Sequence, residues 1–333
     1  MKERELIAWI QGLTEQGGKG LLQGIGDDCA VIEKNADTVW LLTMDSLIES
    51  VHFNCAWHPP ELLGRKAVAV NCSDIAAMGG QPLFALIGLG LPADFSSDWA
   101  GRLMQGLTQA CQEQGCLLIG GDTVRSPEQV MLTLTVIGEM RKEQVLYRHK
   151  AQPGDTIWVS GPLGCSAAGL ALLQAGKSAI DLQWRDLILT HLDPQPQTGL
   201  GRLLAASTLV HAMMDMSDGL ATDLAHLCEQ SKVGAVIEAD LLPGAAELTA
   251  AADLLGQDPL TWMLSGGEDY TLLFTATAHA TEAVQVLTAE QGWRIHPVGS
   301  IRAGQGLRLI RSDGGEEDVL FQGFDHFPRE VAP

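Results

Sequence analysis

Apolar and polar positions along this chain alternate with two periods. Between 131 and 137, Leu132, Leu134 and Val136 alternate with Thr133 and Thr135, the pattern of a strand with one buried face. Between 67 and 78, Ala67, Val68, Val70, Asn71, Ile75 and Met78 recur every three or four residues. That stripe predicts a helix opened by Pro59-Pro60 and capped by Gly79-Gly80. Asp74 falls at the edge of the stripe, where an unpaired carboxylate costs on the order of several kcal/mol.

The same reading predicts helices over 5–13, 96–114 (with Ser96 as N-cap), 166–174, 199–206 and 281–290. Strands are predicted over 29–32, 38–44, 83–91, 116–119, 156–160, 234–239, 271–275, 295–300 and 307–310. Asp45-Ser46 is expected to end the 38–44 strand, and Gly120-Gly121-Asp122 the 116–119 strand. Asp215 to Gly219 is expected to open a helix reaching Gln230, with Ser217 or Asp218 as N-cap. A polar, basic stretch over 141–153 suggests a boundary, dividing the chain into units 1–145 and 146–333. Strands and helices intermix in both, so the expected class is α/β (α+β).

Composition agrees with two units, because 333 residues exceed a typical single core. Apolar content of 46% is that of a globular chain. The formal charge of −20 repels phosphate backbones and anionic lipid, so neither nucleic acid nor membrane is an expected partner. Seven cysteines without CxxC or zinc spacing suit reduced thiols. The amino terminus lacks the apolar core of a signal peptide, and no apolar run approaches the ~20 residues of a membrane span. A cytoplasmic location is expected.

Two motifs mislead. Gly176-Lys177-Ser178 mimics a phosphate loop but follows a predicted helix instead of opening one. Asp215-Met216-Ser217-Asp218-Gly219 mimics the start of a calcium loop but lacks its spacing and closing Glu.

The chemistry-bearing pattern is an acid beside Gly or Ser next to an apolar run. It begins at Gly24-Ile25-Gly26-Asp27-Asp28 and recurs at Asp45, Asp74, Asp122, Asp215 with Asp218, and Glu268. Any single instance is most often a turn or cap residue. The joint pattern points to acids converging on a hard cation, Mg²⁺ first and Mn²⁺ second. More carboxylates than one Mg²⁺ can use imply two or more ions, which suits phosphoryl transfer. A phosphate acceptor is already ionised near neutral pH, so such a site needs charge neutralisation more than a general base.

With these motifs in order, the chain closely resembles the thiamine-monophosphate kinases, relatives of aminoimidazole-ribonucleotide synthetase, selenophosphate synthetase and the hydrogenase-maturation dehydratase. The resemblance rests on GIGDDCA at 24–30, KAVAVNCSDIAAMG at 66–79, IGGDTVR at 119–125, PGD at 153–155 and CSAAGL at 165–170. DMSDGLATDL at 215–224, SGGEDY at 265–270 and GFDHF at 323–327 complete it. It implies a two-domain fold with a mixed sheet in each domain, and transfer of the ATP γ-phosphate onto thiamine monophosphate. Matched by position, Asp28, Thr43, Asp45, Asp74, Asp122, Asp215 and Asp218 would hold Mg²⁺. Gly121, Asp122, Arg148 and Ser217 would contact ATP, with Asp122, Asp218 and Arg148 as catalytic residues. His52, Glu268 and Phe324 would line the thiamine pocket, and two chains would form a homodimer. Met44 stands where the family usually has a hydroxyl, and Asp27 is the less favoured of the adjacent acids. The chain ends Val331-Ala332-Pro333 without a terminal Cys, and Gly17 to Gly20 holds none, which weakens the two other relatives. A non-catalytic Mg-nucleotide-binding protein of the same fold is the alternative.

Overall fold

The Leu-Thr alternation of 131–137 forms the middle of a six-stranded sheet in the computed structural model, which describes residues 3–14 and 17–319. The elements of the first unit are α1 (Glu3–Leu13), β1 (Leu21–Gln23), β2 (Ala30–Glu33), β3 (Thr38–Ile48) and α2 (Pro60–Ala77). They continue as β4 (Gln81–Leu91), α3 (Ser97–Glu113), β5 (Leu117–Arg125) and β6 (Met131–Arg141). Strand order is β1-β2-β3-β6-β4-β5, antiparallel except for the β4–β5 pair. Val39, Leu41, Thr43 and Leu47 of β3 and Leu132, Leu134 and Val136 of β6 face α2 and pack into one core with its Leu63, Val68 and Ile75. Ser96 caps α3, its side chain accepting from the Trp99 N–H at 3.3 Å. Gly79 takes φ +82° after α2, and its N–H reaches Ala76 O at 2.9 Å, closing the helix as the Gly-Gly pair predicts.

The second unit begins with β7 (Asp155–Val159), α4 (Cys165–Gln174), α5 (Arg185–Leu192), α6 (Thr198–Ser207) and β8 (Val210–Asp215). Then follow α7 (Leu220–Ser231), β9 (Gly234–Glu238), α8 (Ala246–Leu255), α9 (Pro259–Ser265) and β10 (Leu272–Thr277). The last are α10 (Thr281–Glu290), β11 (His296–Arg302), β12 (Leu307–Ile310) and β13 (Glu316–Asp318). Its seven strands run β13-β12-β9-β11-β7-β10-β8, mixed because β12 pairs with β9 in parallel. Both faces are buried. Ile157, Val159 and Leu273 pack toward α7, while Trp158 and Phe274 stack at 6.2 Å toward α6. Ala76 and Ala77, at the end of α2, belong to this second core. The long helix of the first unit is therefore also a wall of the second.

Three of the boundaries that differ from the sequence reading lie near an acid. Strand β3 does not end at Asp45 but continues to Ile48, because β6 pairs with it residue for residue through Met131. Strand β5 passes through Gly120-Gly121-Asp122 to Arg125. A Cβ on Gly121 would lie 1.9 Å from Ile87 O, so only glycine permits this approach to β4. The N-cap of α7 is neither Ser217 nor Asp218 but Gly219, at φ +105°. Asp223 instead reaches back from the first turn and accepts from the Asp218 and Gly219 N–H groups at 3.2 and 3.0 Å. Strands β1, β8 and β13 and helices α8 and α9 are among the elements with no counterpart in the sequence reading; β8 runs straight into the acidic motif and lacks a turn signal before it. Gly176-Lys177-Ser178 lies beyond the end of α4, as its position relative to the predicted helix implies.

Candidate functional site

Three acids from three elements meet where the two units join. Asp28 precedes β2, Asp74 lies in the last turn of α2 and Asp215 ends β8. One carboxylate oxygen from each lies within 4.8 Å of the others. Thr43 donates from Oγ1 to Asp74 Oδ2. Asp45 sits on the same face of β3 as Thr43, and its N–H donates to Asn71 Oδ1 at 3.1 Å. Burial raises the carboxyls of Asp28, Asp45 and Asp74 above their usual range, and their mutual repulsion adds to this at Asp74. Asp215 is pushed up to about 8, first by burial and then by Asp28. Oδ2 of Asp28 and Oδ2 of Asp215 are buried without a hydrogen-bond partner. Packed acids with orphaned oxygens fit a hard cation and nothing in the apolar core.

Arg148, in the turn before β7, closes this cluster. Its Nη2 donates to Asp28 Oδ1, its Nε lies 3.4 Å from Asp27 Oδ1, and its N–H donates to Asp27 Oδ2 at 3.4 Å. Asp27 is raised to about 7, chiefly by burial and by Asp28, against the pull of Arg148. The side chain of Asp27 is fully buried.

Beside the cluster opens a cleft of about 1150 Å³ between the units. Asp45, His52 and Asp74 line it from the first unit; Asp215, Ser217, Asp218 and Glu268 line it from the second. His52 accepts the Ile48 N–H on Nδ1 at 3.1 Å. The loop carrying Glu268 is tied to the Asp215–Gly219 turn by Glu268 N–H to Ser217 O (2.7 Å) and Tyr270 N–H to Met216 O (3.0 Å). Glu268 and Tyr270 both take positive φ, at 66° and 49°. Such backbone strain persists only where surrounding contacts impose it, and it concentrates at functional sites. Asp269 between them points away from the cleft and accepts from the Gly164 and Ser166 N–H groups at 2.5 and 2.9 Å, pinning the loop to α4.

Asp122 and Gly121 stand apart from this gathering. Along the sheet, Asp45 is in register with Leu134, Ile87 and Gly121, and Ser46 with Thr133, Gly88 and Asp122. Three strand spacings, roughly 14 Å at about 4.8 Å each, separate the β3 acids from β5. Asp122 is exposed on that edge strand. Phe324 lies outside the described residues. Four residues that sequence reasoning gave no role complete the site: Asn71, Lys66, His191 and Asp269. The signal for Lys66 was present, since a lysine four residues before Val70 falls on an otherwise apolar helical stripe.

Comparison with known proteins agrees over the whole fold. The family model for AIR synthase related protein, N-terminal domain, matches residues 26–140, and that for the C-terminal domain matches 152–312. The thiamine-monophosphate kinase of Haemophilus influenzae is 36% identical over 307 residues, covering 91% of each chain. That of Bacillus subtilis is 34% identical, covering 91% of this chain and 93% of its own. Among solved structures, AaThiL complexed with AMPPCP and TMP superposes with a TM-score of 0.85 at 34% identity, covering 98% of this chain and 97% of that one.

Proposed function

This chain belongs to the AIR synthase related family and, within it, to the thiamine-monophosphate kinases, and from that premise we infer that it transfers the γ-phosphate of ATP to thiamine monophosphate. The observation that carries the reading is the interdomain cleft, which sets the buried acid cluster beside His52 and Glu268. In the transfer, an oxygen of the acceptor phosphate bonds to the γ-phosphorus as the bond to the β,γ-bridging oxygen breaks, leaving ADP. The acceptor is already an anion, so no side chain must take its proton. This fits a cleft whose described walls carry many acids and few histidines.

Asp28, Asp74, Asp215, Asp45 and Asp218 are the residues that would hold Mg²⁺, with Thr43 orienting Asp74. An all-oxygen donor set, and orphaned oxygens on Asp28 and Asp215, support that assignment. Bound there, Mg²⁺ would neutralise the phosphate charge that the acids alone repel. Arg148 faces the cluster with a guanidinium suited to bidentate phosphate contact, and Ser217 is exposed at the cleft near the start of α7. His52, Glu268 and Phe324 are assigned to the thiamine pocket, and Gly121 with Asp122 to the ATP phosphates. The two sheets are taken as the metal- and ATP-binding unit up to 145 and the unit that completes the site from 146.

A homodimer follows from the same reading. Strand β5 is a nine-residue sheet edge exposing Leu117, Ile119 and Val124, and Leu86 on β4 and Met131 on β6 add apolar surface. An edge so long and apolar is a pairing surface unless it is covered. Among the described residues no helix is long and apolar enough to cross a membrane. The experiment is incubation of the purified protein with Mg-ATP and thiamine monophosphate. Thiamine diphosphate and ADP in equal amounts are expected, from a species of twice the chain mass; ADP without thiamine diphosphate would refute the reading.

A further inference from the structure

Lys66 is fully buried on α2, and among the described residues its Nζ finds its partners in the second unit. The ammonium crosses to the second unit, donating to His191 O at 3.0 Å and to Glu268 Oε2 at 3.1 Å, with Oε1 also at 3.1 Å. Glu268 reaches the cleft and Lys66 lies behind it, outside the lining. His191 Nδ1 lies 3.2 Å from Glu268 Oε2 and 3.1 Å from Ser166 Oγ, and both His191 and Ser166 line the same wall. One lysine thus fixes a cleft carboxylate from behind while a histidine steadies it from the side.

We propose that Lys66 is a positioning residue for recognition of the organic substrate: by pairing with Glu268 across the domain junction it makes that carboxylate a fixed hydrogen-bond acceptor for an N–H donor of the substrate ring, not a counter-ion for a ring charge. The proposal rests on the reading above that places Glu268 in the thiamine pocket. A carboxylate whose charge is already met by a buried ammonium has little net field to offer a cation, but its remaining lone pairs keep their direction. Burial alone would push Glu268 up, yet Lys66 and then the His191 hydrogen bond outweigh it and hold the group down to about 2. Burial, and then the Lys66 charge, push His191 below its usual value, so the ring is neutral and its Nδ1–H can donate to Glu268. A preset acceptor loses less entropy on binding than a mobile one.

The test is steady-state kinetics with thiamine monophosphate and ATP on the wild type, Lys66→Met, Lys66→Arg, Glu268→Gln and the Lys66→Met/Glu268→Gln double variant. Lys66→Met and Glu268→Gln are each expected to raise KM for thiamine monophosphate about tenfold or more while KM for ATP stays within about twofold. Lys66→Arg should recover part of the loss. Because Lys66→Met strands a buried carboxylate and can unfold the chain, the double variant decides independently: its KM for thiamine monophosphate should equal that of Glu268→Gln alone. A lower KM in Lys66→Met, as a freed counter-ion would give, overturns the proposal. So does a double variant worse than Glu268→Gln, or an equal rise of KM for ATP. An unchanged KM in Glu268→Gln, with product still formed by the wild type, removes instead the placement of Glu268 on which the proposal stands.

Discussion

Gly201 on α6 packs directly on the carbonyl of Ala76 on α2: a Cβ at Gly201 would lie 2.1 Å from Ala76 O. Backbone touches backbone where the two units meet, and beside it Gly79 abuts Ala205, whose methyl a Cβ would meet at 2.4 Å. Helix α2 carries Lys66, Asn71 and Asp74, so this contact sets how its acid faces Asp215 across the junction.

Gly201→Ala is expected to destabilise the protein although alanine is the better helix former. The helix gain is roughly 0.5–1 kcal/mol, whereas forcing α2 and α6 apart costs about 1–3 kcal/mol. Thermal unfolding checks this against Gly101→Ala in α3, where nothing lies within 4 Å of the new Cβ and the melting temperature should rise. If both variants rise together, the close contact is not a constraint.

Asp74→Asn should separate stability from function. Without metal it removes one of several mutually repelling buried carboxyls, so the melting temperature in chelator should rise or hold. With Mg²⁺ the stabilisation seen in the wild type should shrink and turnover should fall about 100-fold or more. Differential scanning calorimetry with and without Mg²⁺, alongside product formation, reads both. Wild-type Mg²⁺ stabilisation in the variant would remove Asp74 from the metal set.

Asp122 gives the opposite contrast. It is exposed on β5, so Asp122→Asn should change unfolding free energy by no more than about 0.5 kcal/mol. Activity should still fall at least about tenfold if Asp122 serves the ATP phosphates and their metal. Full activity in this variant would leave Gly121 and Asp122 as strand geometry alone.

His58 supplies a pH dependence with a definite sign. It is buried, its Nε2–H donates to Leu192 O at 3.1 Å, and burial, then the Lys66 charge, hold it down to about 3. The unfolded chain binds a proton near pH 6.5 that the folded chain refuses, so stability falls as the pH drops below 6.5. Between pH 7 and 5 the wild type should lose about 2 kcal/mol more than His58→Gln. Denaturant titrations of both proteins at the two pH values give the comparison, and equal losses would mean that His58 is protonated in the folded state.

Much of this protein was legible in its sequence because the signals are local. The Thr alternation of β6, the apolar stripe of α2, the Ser96 cap and the Gly79-Gly80 stop each depend on a few neighbouring residues, and the chain forms those elements. The acids were legible as a set, since adjacent glycines and carboxylates at strand mouths stand out from a core. Their distribution was not. Asp-Ser and Gly-Gly-Asp look like strand ends, but pairing with β6 and β4 carries both strands onward, because ladder hydrogen bonds override local preference. Only the folded chain decides that Asp28, Asp74 and Asp215 share a site while Asp122 lies on the edge strand, three strand spacings from Asp45. It alone pairs Lys66 with Glu268, 202 positions along the chain. Spacing within one segment reports periodicity and caps; which charges must neutralise one another depends on burial and on how the two sheets dock, and neither is written in any short stretch of residues.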